Sequence, residues 1–218
     1  MQINLPSKPK ILEKDGNKAI FEIEACYPGY GLTLGNSFRR VLLSSLSGAA
    51  ITGIKIKGVK HEFSTISNVA EDVIQIILNL KKIRFKSDIK EPVIATVKVK
   101  GEKEVKAGDI KTPAGVEVVN PDAHIATLTN SKANFDMEID IETGLGYSAV
   151  ESRKKEKIEI GKIAIDAIFT PIEKVTYVVE PMRVGDRTDF NRLRITLATD
   201  GSIAPEEAFV KAANLLVE

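Results

Sequence analysis

Residues 29–66 read GYGLTLGNSFRRVLLSSLSGAAITGIKIKGVKHEFSTI, and the strongest local signals of the chain lie in this stretch. From Leu34 to Leu46 apolar residues recur every three or four positions, which predicts an amphipathic helix. Thr33 suits the N-cap of this helix, and Gly48 lies just past its end, where a C-cap glycine belongs. The following IKIKGVK alternates apolar residues with lysines, which is typical of a strand. The stretch is therefore predicted to form one helix followed by one strand.

The predicted helix has two different faces. At about 100° per residue, Leu34, Phe38 and Val41 share one side. Arg39, Arg40 and Leu43 fall largely away from that side. An exposed arginine beside a leucine is more often incidental than functional, although arginine next to an apolar anchor is a common composition of binding hot spots. The helix is predicted to present an apolar stripe and a separate arginine-leucine patch.

The flanking sequence supplies a hairpin and a second helix. Residues 11–25 are predicted to form a strand pair, because Asp15-Gly16 is a hairpin turn signal between two β-prone runs. The second helix is predicted to start near Asn68, because Asn68 and Glu71 have the spacing of a capping box.

The rest of the chain is predicted to be rich in strands and to end in a helix. Short strands are expected over about 83–168, and two longer ones after Pro171. Pro205 suits the first turn of a terminal amphipathic helix. This helix and the first one pack either on each other within one chain or across a two-fold axis, and the pattern alone leaves both open. One face of the terminal helix is lined by Ala208, Phe209, Ala212, Leu215 and Leu216.

Charge and cysteine content narrow the class of protein. The 31 basic and 30 acidic residues give a net charge of +1, whereas a nucleic-acid-binding protein usually has a clear basic excess. The single cysteine, Cys26, excludes an intrachain disulfide and fits a reducing cytosol. The N-terminal MQINLPSKPKILEKDG has no apolar run of signal-peptide length. We expect a cytoplasmic protein that does not interact with a membrane.

The sequence contains no motif that supports catalysis. It has no G-x-x-x-x-G-K-[ST] phosphate loop, no G-x-G-x-x-G and no G-x-S-x-G. His61 and His124 are far apart and are interpreted as structural, and residues 144–146 (GLG) as a hairpin turn. The carboxylates that alternate along residues 138–142 and the charges of residues 151–157 are interpreted as solvated surface. No catalytic residue, metal or cofactor is expected.

The stretch over 29–66 closely resembles the signature of the alpha subunits of bacterial and plastid RNA polymerases. Further blocks resemble the same family in the same order, namely VAEDVIQIILNLKKI, ETGLGY, IGKIAIDAIFTPIEKVTY and VGDRTDFNRLRITLATDGSIAPEEA. Together they cover nearly the whole chain. The glycine-rich turn departs from the family, with Glu142 and Leu145 where arginines are usual and no proline after Tyr147.

The resemblance implies the N-terminal assembly domain of such a subunit, with a two-domain α+β architecture. A discontinuous α/β dimerisation domain would comprise 1–47 and 172–218, and a mostly-β insertion domain would comprise 48–171. The chain would be a non-catalytic subunit of a DNA-directed RNA polymerase, a nucleotidyltransferase, in a bacterial cytosol or nucleoid or in a plastid. The C-terminal DNA-binding domain of the family is absent from these 218 residues, so no direct DNA binding is expected.

The resemblance also implies three sets of contact residues and no cofactor or metal. The partners would be a second copy of the chain and the beta and beta-prime subunits. The homodimer would use Tyr30, Leu34, Phe38, Phe209, Ala212 and Leu216. The beta subunit would contact Arg40 and Leu43, and the beta-prime subunit would contact Gln75, Lys81, Ile165 and Asp166.

Other functions make different predictions. A stand-alone nucleic-acid-binding module would bind DNA in a salt-dependent way, and an enzyme active without partners would turn over nucleotides. A stand-alone protein-interaction module would not bring the beta subunit with it on purification. A subunit of the heterodimeric kind would not form a symmetric dimer.

Overall fold

The computed structural model describes residues 5–153 and 161–217, and the chain divides into two compact units. The end unit is built from both ends of the chain, up to Leu46 and from Thr170 onward, and the central unit spans Ser47–Phe169. Helices combined with antiparallel strands confirm the α+β class. Within the described residues, none of the helices combines the length and the apolar character needed to cross a membrane.

The described residues form α-helices and β-strands, together with a short 3-10 helix at Ala107–Asp109. The helices are α1 (Tyr30–Ser44), α2 (Val73–Leu80), α3 (Val150–Arg153) and α4 (Pro205–Val217). The strands are β1 (Lys10–Asp15), β2 (Lys18–Cys26), β3 (Ser47–Ile56), β4 (Phe85–Ser87), β5 (Val93–Lys100), β6 (Lys103–Lys106), β7 (Val116–Val118), β8 (His124–Leu128), β9 (Asn134–Leu145), β10 (Tyr147–Ser148), β11 (Lys162–Ala164), β12 (Ala167–Ile168), β13 (Ile172–Val184) and β14 (Arg187–Thr199).

The end unit is a four-stranded antiparallel sheet with α1 and α4 on one face. The strand order is β1-β2-β14-β13, and the predicted hairpin over 11–25 is confirmed as the β1–β2 pair. Alternate side chains of the strands, such as Phe21 and Leu193, pack with Leu42 of α1 in one core. The other sheet face carries charged side chains, and there the Arg194 guanidinium donates to Glu22 at 2.8 Å.

Helix α1 begins earlier than predicted. Its N-cap is Gly29, which adopts a φ of 84°, rather than Thr33, and Thr33 lies inside the first turns. The helix ends at Ser44, and Gly48 belongs to β3 instead of a C-cap. The positive φ at Gly29 lets the chain turn sharply from β2 into the helix, because glycine adopts such angles without a steric penalty.

Two glycines inside α1 are explained by close packing against β13 and β14. A Cβ on Gly31 would lie 2.8 Å from the Asn191 Cβ and 2.8 Å from a Val179 methyl, and a Cβ on Gly35 would lie 2.5 Å from the Tyr177 ring. Glycine is a poor helix former, so propensity does not indicate a helix start here. The close approach of helix and sheet, which only glycine permits, accounts for these residues.

The central unit is mostly antiparallel sheet around one apolar core. The largest sheet has the order β5-β9-β3-β4-β7 with β11 also paired to β3, and β6-β8 and β10-β12 form two smaller pairs. This confirms the predicted series of short strands over 83–168. Helix α2 buries Val73, Ile76 and Leu80 in this core.

Two local predictions in the central unit are wrong. The N-cap of α2 is Asp72, which forms a capping box with Gln75, instead of Asn68 with Glu71. Residues 144–146 do not join two paired strands, because β9 continues through Leu145 and β10 pairs with β12. Gly144 is required for another reason: a Cβ there would lie 2.7 Å from the Phe169 ring.

Candidate interaction surfaces

A stack of three aromatic rings joins α1 to α4 inside the end unit. The Phe209 ring lies between those of Phe21 and Phe38, with centroid distances of 4.3 Å and 4.8 Å and nearly parallel planes. Phe209 is 5% exposed and Phe38 and Ala212 are also buried. Of the predicted dimer residues, these three therefore pack within their own chain and offer little surface to a second copy.

Each of the two helices continues its buried stripe into exposed apolar side chains. On α1 the stripe runs backward from Phe38 through the half-buried Leu34 to Tyr30, which is 43% exposed. On α4 it runs forward from Phe209 to Leu216, which is 38% exposed. Residues at these spacings share one helix face. The outer parts of both stripes are thus incompletely covered by the chain itself.

A second face of α1 carries the predicted arginine-leucine patch. Arg40 is exposed, and within residues 5–153 and 161–217 no carboxylate forms an ion pair with its guanidinium. Leu43 is half-buried and packs against the core of the end unit. The neighbouring Arg39 is also exposed. The patch therefore consists of two accessible cations beside a partly accessible apolar side chain.

In the central unit, the structure brings together two of the four residues predicted to contact beta-prime. The Lys81 ammonium, just after α2, donates to an Asp166 carboxylate oxygen at 3.3 Å. Gln75 lies at the other end of α2, where it caps the helix. Ile165 is 2% exposed and belongs to the core. Because its side chain points inward, Ile165 offers almost no side-chain surface to a partner.

Asp166 is also a structural anchor. Its other carboxylate oxygen accepts a hydrogen bond from the Val150 N–H at 3.0 Å, at the start of α3. This bond, followed by the contact with Lys81, holds the pKa of Asp166 below its usual value. The pKa of Tyr147 is raised, first by desolvation and then by the Asp166 charge. One carboxylate therefore ties together the end of α2, the start of α3 and β10.

The elements that Asp166 joins carry exposed apolar side chains that the sequence analysis missed, or pair with a strand that does. Ile168 of β12 and its cross-strand partner Tyr147 are exposed, and so are Ile74 and Leu78 of α2. The signal that could have identified the α2 pair is its sequence VIQIILNL, which is apolar on more than one face. A helix of this kind has more apolar surface than one packing face can bury.

Several charged side chains of the central unit were wrongly interpreted as solvated. The Arg153 guanidinium donates to the carbonyl oxygens of Thr52 and Ile165. Asp140 pairs with Lys162 at 2.8 Å. The rest of the charged segment, residues 154–160, lies outside the described residues. The described part of the chain holds no cluster of three or more side chains suited to a metal ion.

His124 is held between two carboxylates. Its Nε2 lies 2.8 Å from Glu71 Oε1, and its Nδ1 lies 3.0 Å from Glu104 Oε1. Glu71 also accepts a hydrogen bond from the Thr127 N–H at 2.6 Å. These bonds fasten β6 and β8 to the segment that leads into α2, which is a structural role. The other histidine, His61, lies in a loop where its Nδ1 is 3.2 Å from the hydroxyl of Ser64.

Comparison with known proteins shows which family of proteins this chain resembles. Residues 54–170 match the family model described as "RNA polymerase Rpb3/RpoA insert domain". The DNA-directed RNA polymerase subunit alpha of Renibacterium salmoninarum is 48% identical over 98% of this chain and 64% of the relative. The subunit of the same name from Roseiflexus sp. is 49% identical over the whole chain and 67% of the relative. That of Paenarthrobacter aurescens is 50% identical over 93% of the chain and 60% of the relative. The chain thus spans only part of the length of these relatives.

Proposed function

Because this chain belongs to the family of RNA polymerase alpha subunits, we propose that it is a non-catalytic scaffold of a DNA-directed RNA polymerase. Two copies pair, one copy recruits the beta subunit and the other recruits the beta-prime subunit. The observation that carries the proposal is that α1 has two distinct surfaces. One is an apolar stripe that runs from buried to exposed side chains, and the other is a separate patch whose Arg40 forms no ion pair with the part of the chain that the structure describes. The scaffold would act in the cytoplasm and without a cofactor.

In this proposal the two domains have different tasks. The dimerisation domain comprises 1–47 and 172–218, and the insertion domain comprises 48–171. The boundaries of the two compact units, after Leu46 and after Phe169, lie close to these limits. The match of 54–170 to an insert-domain model also falls inside the proposed insertion domain. Both observations support the assignment.

The proposed dimer surface is the exposed continuation of the two stripes, with Tyr30, Leu34 and Leu216 in contact with the second copy. Phe38, Phe209 and Ala212 support this surface from beneath. Leu216→Ala should weaken the dimer measurably in sedimentation experiments at micromolar concentration. Lys211→Ala is the matched control on the same helix, because its side chain is exposed and lies off the stripe. A monomeric unaltered chain would contradict the proposal.

The proposed beta contact is the patch of Arg40 and Leu43. Arg40→Ala removes a cation with no intrachain ion pair among the described residues, so the fold and the dimer should be unaffected. Co-purification with the beta subunit should fall strongly, since an interfacial arginine commonly contributes 1 kcal/mol or more, roughly fivefold in affinity. Lys174→Ala, which removes an exposed cation of β13 outside this patch, is the control. Loss of the dimer with beta binding retained would refute the assignment.

The proposed beta-prime contact is the region of Gln75, Lys81 and Asp166, together with the exposed apolar side chains beside them. Ile165 is left out because it is buried. Lys81→Ala should reduce binding of the beta-prime subunit to the assembled alpha–beta complex. Lys82→Ala, at the next and exposed position, is the matched control. Equal binding by both variants would exclude a role for Lys81.

A further inference from the structure

We infer that Arg187, at the tip of the β13–β14 hairpin, is a positioning residue for the start of helix α1. It holds the exposed end of the α1 stripe in the place where a second copy would meet it. This inference rests on the proposed dimer and deepens it. It assigns a task to a residue that lies outside all the contact sets above.

The Arg187 guanidinium is braced by a carboxylate and lies over two aromatic rings. Its Nε and Nη2 donate to the two carboxylate oxygens of Asp189 at 3.0 Å and 2.7 Å. Its central carbon lies 5.6 Å from the centre of the Tyr27 ring and 5.1 Å from that of Phe190. Both distances are within the range of a cation–π interaction. A bidentate pair fixes the plane of the guanidinium, so the cation is presented to the rings in one orientation.

The Tyr27 ring connects the Arg187 guanidinium to the first residue of α1. Tyr27 meets Phe190 edge-on at 6.0 Å and Tyr30 edge-on at 5.8 Å, and its carbonyl accepts a hydrogen bond from the Tyr30 N–H at 2.9 Å. Tyr30 is both the first residue of α1 and the outermost member of its stripe. A shift of the Tyr27 ring would therefore move the side chain that the proposed dimer uses.

The start of α1 depends on the hairpin because the helix has no side-chain N-cap of its own. The N-cap residue is Gly29, and its N–H donates to the Asn191 side chain at 3.0 Å. Strand β2, which precedes this turn, contains a second residue in the left-handed region near its end, Ala25 with a φ of 57°, and its N–H donates to the Met182 sulfur. Such a conformation persists in a non-glycine residue only where neighbours hold it. Two hairpin residues, Asn191 and Met182, supply that support at Gly29 and Ala25. Arg187 and Phe190 of the same hairpin contact the ring of Tyr27, which lies between these two positions in the chain.

Because Arg187 is exposed, its proposed positioning role can be distinguished experimentally from a role in the core. Its side chain is 52% exposed, so removing it leaves no cavity in the end unit. Loss of an exposed cation–π pair and an exposed ion pair has a small effect on unfolding. Each dimer contains two such clusters, so the effect on pairing is doubled. We expect the dissociation constant of the dimer to rise roughly tenfold in Arg187→Ala. The urea midpoint of unfolding should change little beyond the concentration-dependent part that the weaker dimer itself causes.

The test uses the whole 218-residue chain and measures dimer dissociation by sedimentation over a dilution series. Arg187→Ala is compared with Lys174→Ala, which removes an exposed cation from the same hairpin. Near-ultraviolet circular dichroism is the second measurement. The chain has no tryptophan and four tyrosines, so loss of the Tyr27–Tyr30 arrangement should reduce the tyrosine signal in Arg187→Ala alone. Arg187→Lys should restore the affinity only partly, because lysine keeps the charge but not the planar fork.

The outcomes separate the inference from the function on which it rests. A tenfold weaker dimer with a reduced tyrosine signal supports the inference. A dimeric unaltered chain whose affinity and tyrosine signal are the same in Arg187→Ala would overturn the inference and leave the proposed dimer standing. A monomeric unaltered chain would overturn both. Should Arg187→Ala fail to fold, Asp189→Asn, which keeps the guanidinium but weakens its brace, must reproduce the two effects or the inference fails.

Discussion

Replacing Phe209 with alanine should destabilise the end unit severely. The Phe209 ring is 5% exposed and stacked between two other rings, at 4.3 Å from Phe21 and 4.8 Å from Phe38. Phe→Ala changes in cores cost about 3–5 kcal/mol, and each aromatic pair contributes about 0.5–1.5 kcal/mol beyond the area it buries. Because the measured cost of such changes already includes lost ring contacts, and two pairs are lost here, we expect the upper end of the first range, about 4–5 kcal/mol. This is a large fraction of the roughly 5–15 kcal/mol that keeps a domain folded.

The assay is equilibrium urea unfolding followed by far-ultraviolet circular dichroism, at two protein concentrations tenfold apart. With a dependence on urea of about 2 kcal/mol per molar, the midpoint for the end unit should fall by roughly 2 M. Because the chain has two compact units, the curve is fitted with two transitions and only one should move. Phe209→Leu, which keeps most of the volume, is the control and should lose less than half as much.

The reasoning can be refuted by how the shift of the urea midpoint depends on protein concentration. A residue in the core of its own chain shifts the midpoint equally at both concentrations, whereas a residue of the dimer surface acts through association and its effect depends on concentration. Leu216→Ala should show the second behaviour. If Phe209→Ala cost less than 1 kcal/mol, or behaved like Leu216→Ala, the ring stack would not be the core of the end unit.

Three further changes test the two units separately. Gly35→Ala should lower the melting temperature although alanine favours helices, because its Cβ would lie 2.5 Å from the Tyr177 ring and overpacking costs about 1–3 kcal/mol. Asp72→Ala removes the N-cap of α2 and should cost about 1 kcal/mol in urea unfolding. Burial acts to raise the pKa of Glu71, but its hydrogen bonds, first that from the Thr127 N–H, lower it overall. Its stabilisation is therefore complete at neutral pH and lost as the pH falls below about 4.5, so the urea midpoint of Glu71→Gln should change less between pH 7 and pH 3 than that of the unaltered chain.

Sequence patterns predicted the elements whose signals are local. The turn at Asp15-Gly16, the stripe on α1 and the terminal helix could all be derived from spacing, because neighbouring residues alone determine which side chains share a face. The start of α1 could not be derived in this way. Gly31 and Gly35 lower helix propensity, and they are tolerated only because β13 and β14 pass so close to the helix.

The sequence by itself determined the family, the α+β class and the existence of two apolar helix stripes. Only the tertiary structure decided what covers each stripe. Periodicity shows that Phe38 faces the same way as Leu34, but it does not show that Phe209 lies on it while Tyr30 stays exposed. For the same reason, periodicity does not show that the Ile165 side chain enters the core while that of the next residue, Asp166, reaches Lys81. Burial and pairing depend on residues far away in the chain, and local spacing contains no information about those partners.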